Sequence, residues 1–309
     1  MTANRDAALL ELLAVLEARH YDFVPPTPAT HARVIARQRA GSSVRDLLGW
    51  SRLVPPECIE AEIREPLERA GVVDVHSDGW RSTIRVARLR GRLFLHSAYP
   101  TDDAQAVFFG PDSYRFADFI VGELARDPLC TNVIDVGTGS GIGLIVAASL
   151  AQPARLAMTD INPAALRLAR INARHAGLNV EALEGEGLAG FDAPIDLALA
   201  NPPFIVDEEK RNYRDGGGML GSQISLDMAR EIAGRLNHNG RLLLYTGTAI
   251  VDGHDAFEAA LGEAMAAAGC VMHYRQLDPD VFGEELDRPA YREAEVERIA
   301  VVGAVITRR

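Results

Sequence analysis

The chain has 309 residues, 48% of them hydrophobic, and a formal net charge of −11. That length suits one large α/β domain plus a smaller one. The negative charge excludes a protein that grips nucleic acid over its whole surface, because such affinity comes from neutralising phosphates with Lys and Arg.

Residues 5–20 repeat Leu9, Leu10, Leu13, Val15 and Leu16 at helical spacing, and the proline-rich stretch 21–28 ends that helix. Residues 29–40, 44–50 and 56–70 read as three further helices, the last with Ile59, Ile63 and Leu67 on one face and Gly71 at its end. Residues 81–89 and 92–97 read as two strands around an Arg90-Gly91 turn. Short helices followed by a basic hairpin resemble a winged-helix module. Residues 1–100 carry 14 Arg against 12 Asp and Glu, so an RNA contact, if there is one, is expected here. Arg81, Arg85, Arg88, Arg90 and Arg92 can meet phosphates, although solvated arginines on an exposed hairpin are the plainer expectation. The expected domains are 1–98, helical with the basic hairpin and suited to substrate recognition, and 99–309, catalytic.

From residue 131 the pattern changes. Strands at 132–136, 155–159, 180–183, 195–200 and 241–246 alternate with helical runs, notably 163–175 and 222–236. This predicts a doubly wound, mostly parallel sheet that binds its ligand beyond the carboxyl ends of the strands. Runs 271–277 and 298–307 have no helix between them and are expected to pair antiparallel. The connecting residues 278–292 mix acids with Phe282 and Tyr291 and read as a lid or substrate-reading loop, with a disordered acidic loop as the alternative.

The apolar stretches, such as 242–245 and 301–306, are too short to cross a bilayer, and the N-terminus lacks a signal pattern, so a cytoplasmic protein without membrane contact is expected. Cys58, Cys130 and Cys270 lie far apart and the eight histidines are scattered, so no metal site is expected. The oligomeric state stays open.

Two motifs carry chemistry. After the first strand of the sheet, Asp135-Val-Gly137-Thr138-Gly139-Ser-Gly141 places glycines at alternate positions before a helical run. Glycine permits positive φ and close approach of a ligand to the main chain, so a nucleotide-like ligand is expected. By itself this turn also suits a dinucleotide, whose usual spacing is G-x-G-x-x-G. Asp160 ends the second strand, where a carboxylate can accept both ribose hydroxyls, and is followed by Ile161, the helix cap Asn162 and Pro163. Glu186 can accept from an adenine amine.

The more specific motif is Asn201-Pro202-Pro203-Phe204, directly after the fourth strand. A conjugated nitrogen must be held and rehybridised before it attacks a sulfonium methyl. The Asn201 side-chain carbonyl and the Pro202 backbone carbonyl can each accept one N–H, Phe204 can stack on the planar group, and the prolines keep the backbone rigid. A nicotinamide dehydrogenase has no use for this motif.

With these residues, the chain resembles the class I S-adenosylmethionine-dependent methyltransferases of the Asn-Pro-Pro-[Tyr/Phe] branch, which includes release-factor glutamine and ribosomal RNA guanine-N2 methyltransferases. The resemblance covers residue 108 to the C-terminus. It implies S-adenosylmethionine as donor, with Asp135, Gly137, Thr138, Gly139 and Gly141 around its methionine, Asp160 and Ile161 at the ribose and Glu186 near the adenine. Asp112 and Tyr114, in Phe108-Phe-Gly-Pro-Asp-Ser-Tyr114, become candidate cofactor contacts. Tyr213-Arg-Asp-Gly-Gly-Gly-Met-Leu-Gly221 is similar to a glycine-rich loop of the glutamine methyltransferases. The expected acceptor is a macromolecule, a protein glutamine amide or an RNA base amine. A small-molecule acceptor and a donor-binding interaction module without turnover are the alternatives.

Overall fold

A computed structural model describes residues 2–37, 41–101, 103–125, 131–151, 154–209, 211 and 213–309. Cys130 and the last three residues of the helix expected at 29–40 lie outside them.

The N-terminal part holds α1 (Thr2–Ala18), α2 (Pro28–Ile35), α3 (Val44–Leu48) and α4 (Ala61–Ala70). The single helix expected over 56–70 is divided. A 3-10 turn, Pro56–Cys58, ends where Ile59 is buried in extended conformation, and α4 starts afresh beyond it. Two hairpins follow rather than one: β1 (Val73–His76) with β2 (Gly79–Ser82), then β3 (Ile84–Leu89) with β4 (Arg92–Ser97). Arg81 belongs to the first hairpin. Its partner strand β1 is mostly exposed and so lacks the alternation that announces a strand.

The second hairpin is not the exposed basic arm expected. Its strands are almost wholly buried, and its arginines tie the chain together. Arg88 donates to the Tyr21 carbonyl (2.9 Å) and pairs with Glu17 (3.0 Å), Arg90 pairs with Asp118 (2.8 Å), and Arg92 donates to the Ala176 carbonyl (3.4 Å).

The remainder is a sheet ordered β11-β12-β9-β8-β5-β6-β7, with a short strand β10 on β9. Its strands are β5 (Asn132–Val136), β6 (Arg155–Asp160), β7 (Glu181–Glu184), β8 (Ile195–Ala200), β9 (Leu236–Val251), β10 (His254–Asp255), β11 (Cys270–Val281) and β12 (Val296–Arg308). The pairs among β7, β6, β5, β8 and β9 are parallel, and the C-terminal strand β12 runs antiparallel to both β9 and β11. The central strands β5 and β8 are almost wholly buried and mostly apolar because helices cover both faces. Those helices are α5 (Pro111–Leu124), α6 (Ile142–Ala151), α7 (Pro163–His175), α9 (Gln223–Arg235) and α10 (Ala256–Ala267). The turn α8 (Gly218–Gly221) is left-handed at Met219 and Leu220. Asn162 caps α7 by accepting from the Ala164 amide (2.9 Å), and Pro163 takes the first helical position.

Residues 278–292 are neither irregular nor free of helix. β11 extends to Val281, then a 3-10 turn (Gly283–Asp287) and α11 (Pro289–Glu293) bury Glu285 and Tyr291. The N-terminal part packs on α7, whose Ala165, Leu168 and Ile171 share a core with Leu9, Leu13, Val86 and Leu95. Among the described residues no helix is long and apolar enough to cross a membrane.

Candidate active site

From β5 the chain first builds outward through β6 and β7, then returns to place β8 on the other side of β5. A crevice opens at such a switch point. Val136 pairs with Ala200 across the two parallel strands, so Gly137 and Asn201 leave the sheet side by side. Above them lies a cavity of about 1010 Å³.

Gly137 (φ 67°) and Gly139 (φ 55°) hold the turn after β5 in the left-handed region. A Cβ added at Gly139 would meet nothing within 4 Å, so the main chain there is open to a ligand. Gly141 has another task and does not line the cavity: a Cβ would lie 3.3 Å from that of Ala169, so it lets α7 close on the turn. Asp135 is buried beneath, accepting from the Thr138 hydroxyl (2.7 Å) and the Leu144 amide (3.1 Å). Burial pushes its carboxyl up to about 7, against the pull of those hydrogen bonds.

Asp160 joins two loops, accepting from the Gly139 amide (2.9 Å) on one oxygen and the Asn162 amide (2.8 Å) on the other. Burial raises its pKa as well. A carboxylate has about four acceptor positions, so it retains capacity toward the cavity. Ile161 and the exposed Glu186 also line the space. The Glu186 loop is steadied by Glu231, which accepts from the Leu188 amide (3.0 Å), and by the Thr159 hydroxyl, which donates to the Gly187 carbonyl (2.7 Å).

Asn201, Pro202, Pro203 and Phe204 line the same cavity. The Asn201 side chain has no hydrogen-bond partner among the described residues. The Phe204 ring is only 8% exposed. It lies on Gly247, where a Cβ would sit 2.1 Å from its Cδ2, and meets Phe282 edge-on at 5.8 Å between centroids. The ring thus anchors the loop as well as facing the cavity.

Beyond it, Asp207 accepts a two-pronged bond from Arg211 (2.6 and 2.8 Å), which holds its carboxyl down at about 2. Arg214 pairs with Glu285, and Arg288 reaches Asp207 at 3.9 Å, tying Asp207 and Arg214 to the segment between β11 and β12.

Tyr114 is not brought to the cavity. Its hydroxyl donates to the Arg88 carbonyl (2.9 Å) and its ring stands edge-on to Phe109, so it fastens α5 to the second hairpin. Asp112 does line the cavity, accepting from the Tyr245 hydroxyl (2.8 Å) and pairing with Arg115 (3.2 Å), with burial raising its pKa. Tyr213 donates to the Thr101 carbonyl and its ring is parallel to that of Phe108. Arg85, expected only as a candidate phosphate contact, walls the cavity, and sequence reasoning missed His96, Tyr99 and, from α9, Asp227 and Met228, which also line it. No spacing signals them. Among the described residues no cluster of three His, Cys, Asp or Glu can hold a metal ion. A donor made of adenosine and methionine fits this crevice, which offers open main chain at Gly139, acids at Asp160 and Glu186 and a cavity ample in volume.

Residues 115–268 match the methyltransferase small domain. The release factor glutamine methyltransferase of Deinococcus radiodurans is 31% identical over 249 residues, 76% of this chain and 84% of that protein. The Bordetella pertussis protein of the same name is 33% identical over 254 residues, 76% of this chain and 86% of that protein. Among solved structures, Methanocaldococcus jannaschii Trm5 in complex with adenosine superposes with a TM-score of 0.50 at 14% identity, over 76% of this chain and 59% of that one, and this likeness concerns the fold alone. The chain therefore belongs to the small-domain methyltransferase family of these relatives, and it is an N-methyltransferase that uses S-adenosylmethionine.

Proposed function

We propose that the acceptor is the side-chain amide of a protein glutamine, on a translation release factor. The observation that carries this reading is the similarity to release factor glutamine methyltransferases across more than four-fifths of their length, together with Asn201 and the glycine turn sharing one cavity. The RNA alternative loses its main support, because Arg88, Arg90 and Arg92 of the second hairpin are engaged within the protein. A release-factor substrate places the reaction in the cytoplasm.

In this reading the bound donor supplies an electrophilic methyl group. Gly137, Gly139 and Thr138 admit its methionine part beside Asp135, and Asp160 with Ile161 receives the ribose. Glu186 receives the adenine, while Gly141 acts only through packing. The Asn201 and Pro202 carbonyls accept the two amide N–H groups of the glutamine, directing its nitrogen toward the methyl, and Pro203 stiffens the loop. Phe204 lends a ring edge to the planar amide. The N-terminal residues 1–98, which wall one side of the cavity, contribute substrate recognition, and 99–309 form the catalytic domain.

The test supplies methyl-labelled S-adenosylmethionine with unmethylated release factor, RNA from a methylation-naive extract, or its small-molecule fraction, with an Asn201→Ala control. Label in the release factor that vanishes in the control supports the reading. Label confined to RNA or to small molecules, or no label despite donor binding, overturns it.

A further inference from the structure

Three arginines among the described residues line the cavity. Arg115 is paired with Asp112 (3.2 Å) and Asp278 (2.9 Å), and Arg214 with Glu285. Arg85 has no carboxylate partner among the described residues, although it is only 4% exposed. Its Nε donates to the Gly49 carbonyl (2.6 Å), and the rings of Phe23 and Tyr99 lie 5.6 Å from the guanidinium carbon. These contacts explain why the side chain is held, but its Nη2 has no hydrogen-bond partner. A buried guanidinium gives up its hydration, which one carbonyl and two ring faces restore only in part.

His96 faces Arg85 in register across the hairpin, is 1% exposed, and leaves its Nε2 unpartnered. Burial and the nearby Arg85 charge keep it neutral. A third unpartnered buried atom, Ser140 Oγ, sits in the glycine turn. Arg85, His96 and Ser140 all line the one cavity. A fourth such atom on the wall, Arg214 Nε, has the Asp207 carboxylate at 3.5 Å, whereas these three have no ion partner among the described residues; buried polar groups are nearly always satisfied, so they point to a ligand.

The strand carrying His96 is stitched to the glycine turn. The Asn172 side chain accepts from the Leu95 amide (2.8 Å) and donates to the carbonyls of Leu95 (3.0 Å) and Ser140 (2.9 Å). This links the orphaned polar atoms to the turn rather than to the Asn201 loop. The cavity wall is otherwise rich in acids, including Asp135, Asp160, Glu186, Asp280 and Glu284, and one unpaired guanidinium compensates one negative charge.

We infer that Arg85 and His96, with Ser140, form a carboxylate subsite that holds the α-carboxylate of the methionine part of the donor. The inference rests on the placement of the donor in this cavity. It adds a binding role for the N-terminal hairpin, which thereby couples cofactor binding to the part that flanks the acceptor.

The experiment compares calorimetric binding of S-adenosylhomocysteine, which carries the carboxylate, with that of 5′-methylthioadenosine, which lacks the amino acid. Arg85→Gln is expected to weaken S-adenosylhomocysteine by about 10- to 100-fold, the worth of a charge-assisted hydrogen bond, and to leave methylthioadenosine within about twofold of the native protein. Arg85→Lys recovers part of the loss. His96→Gln, which leaves the Gly49 contact intact, serves if Arg85→Gln does not fold and shows the same selective loss at smaller size. Unchanged S-adenosylhomocysteine binding in the folded variants overturns the inference, as does an equal loss of both compounds. A raised KM for the acceptor with unchanged S-adenosylhomocysteine binding assigns the anion to the acceptor and overturns the donor assignment. Native protein that binds neither compound overturns the cofactor placement itself.

Discussion

The hydroxyl of Tyr291 accepts a hydrogen bond at 2.9 Å from the backbone amide of Val206, two residues beyond Phe204. Tyr291 is 1% exposed and belongs to the segment between β11 and β12, so a distant part of the chain sets the height of the acceptor loop. Tyr291→Phe keeps the ring and removes this bond. With a hydrogen bond worth about 1 kcal/mol, kcat should fall by roughly 3- to 10-fold while donor affinity is unchanged. Steady-state kinetics with calorimetry checks this, and an equal loss of donor binding would show that the segment supports the whole site.

In the proposed reading Asn201, which lines the cavity, is the polar group that grips the acceptor nitrogen. Asn201→Ala should lower kcat by about 100-fold or more, the usual effect of removing a preorganised dipole, with donor binding within about twofold. Equilibrium binding and single-turnover methyl transfer measure the two quantities separately.

Gly247 gives the Phe204 ring its seat, for a Cβ there would lie 2.1 Å from Cδ2. Gly247→Ala should cost about 1–3 kcal/mol of stability, as overpacking of a core does. Phe204→Leu in the same chain should restore part of it. Thermal denaturation of the single and double variants tests this, and simple additivity would refute the contact as the cause.

Burial lifts the Asp135 carboxyl to about 7, against 3.8 for a free aspartate. The folded protein therefore holds an extra proton between those two values, and this contribution to stability is lost as pH rises through about 7. Asp135→Asn removes the titration. Relative to the native protein it should gain stability, on the order of a few kcal/mol, between about pH 4 and about pH 8, read as a growing difference in Tm. Affinity for the cationic donor should rise in the native protein as pH passes through about 7, because the carboxylate form attracts positive charge, and should be flat in the variant.

The sheet was legible because its strands are short apolar runs set between helices, and the site because two motifs follow strands β5 and β8. The helix α10 went unread, since its alanine-rich sequence lacks a strong apolar stripe. The second hairpin was placed correctly in its turn and misjudged in its surroundings. Arg85, Arg88 and Arg92 look like surface residues in a strand, and only the arrival of Glu17, Tyr21, Gly49 and Ala176 from elsewhere makes them internal ties. Residues 278–292 look like a lid or a disordered acidic loop for the same reason: the distant Arg214 pairs with Glu285 and the Val206 amide meets Tyr291, and both are buried.

The amino-acid sequence by itself determined the parallel α/β sheet, the glycine turn after β5 and the Asn-Pro-Pro-Phe segment after β8, because each rests on local chemistry: apolar period, glycine at positive φ, and an Asn followed by two residues that cannot donate. Only the tertiary structure decided that Tyr114 serves as a fastener, that Phe204 is seated on Gly247, and that Arg85 and His96 enter the cavity with unpartnered nitrogens. Those outcomes depend on contacts between residues far apart in the chain, and neither the distance nor the partner is written in local spacing.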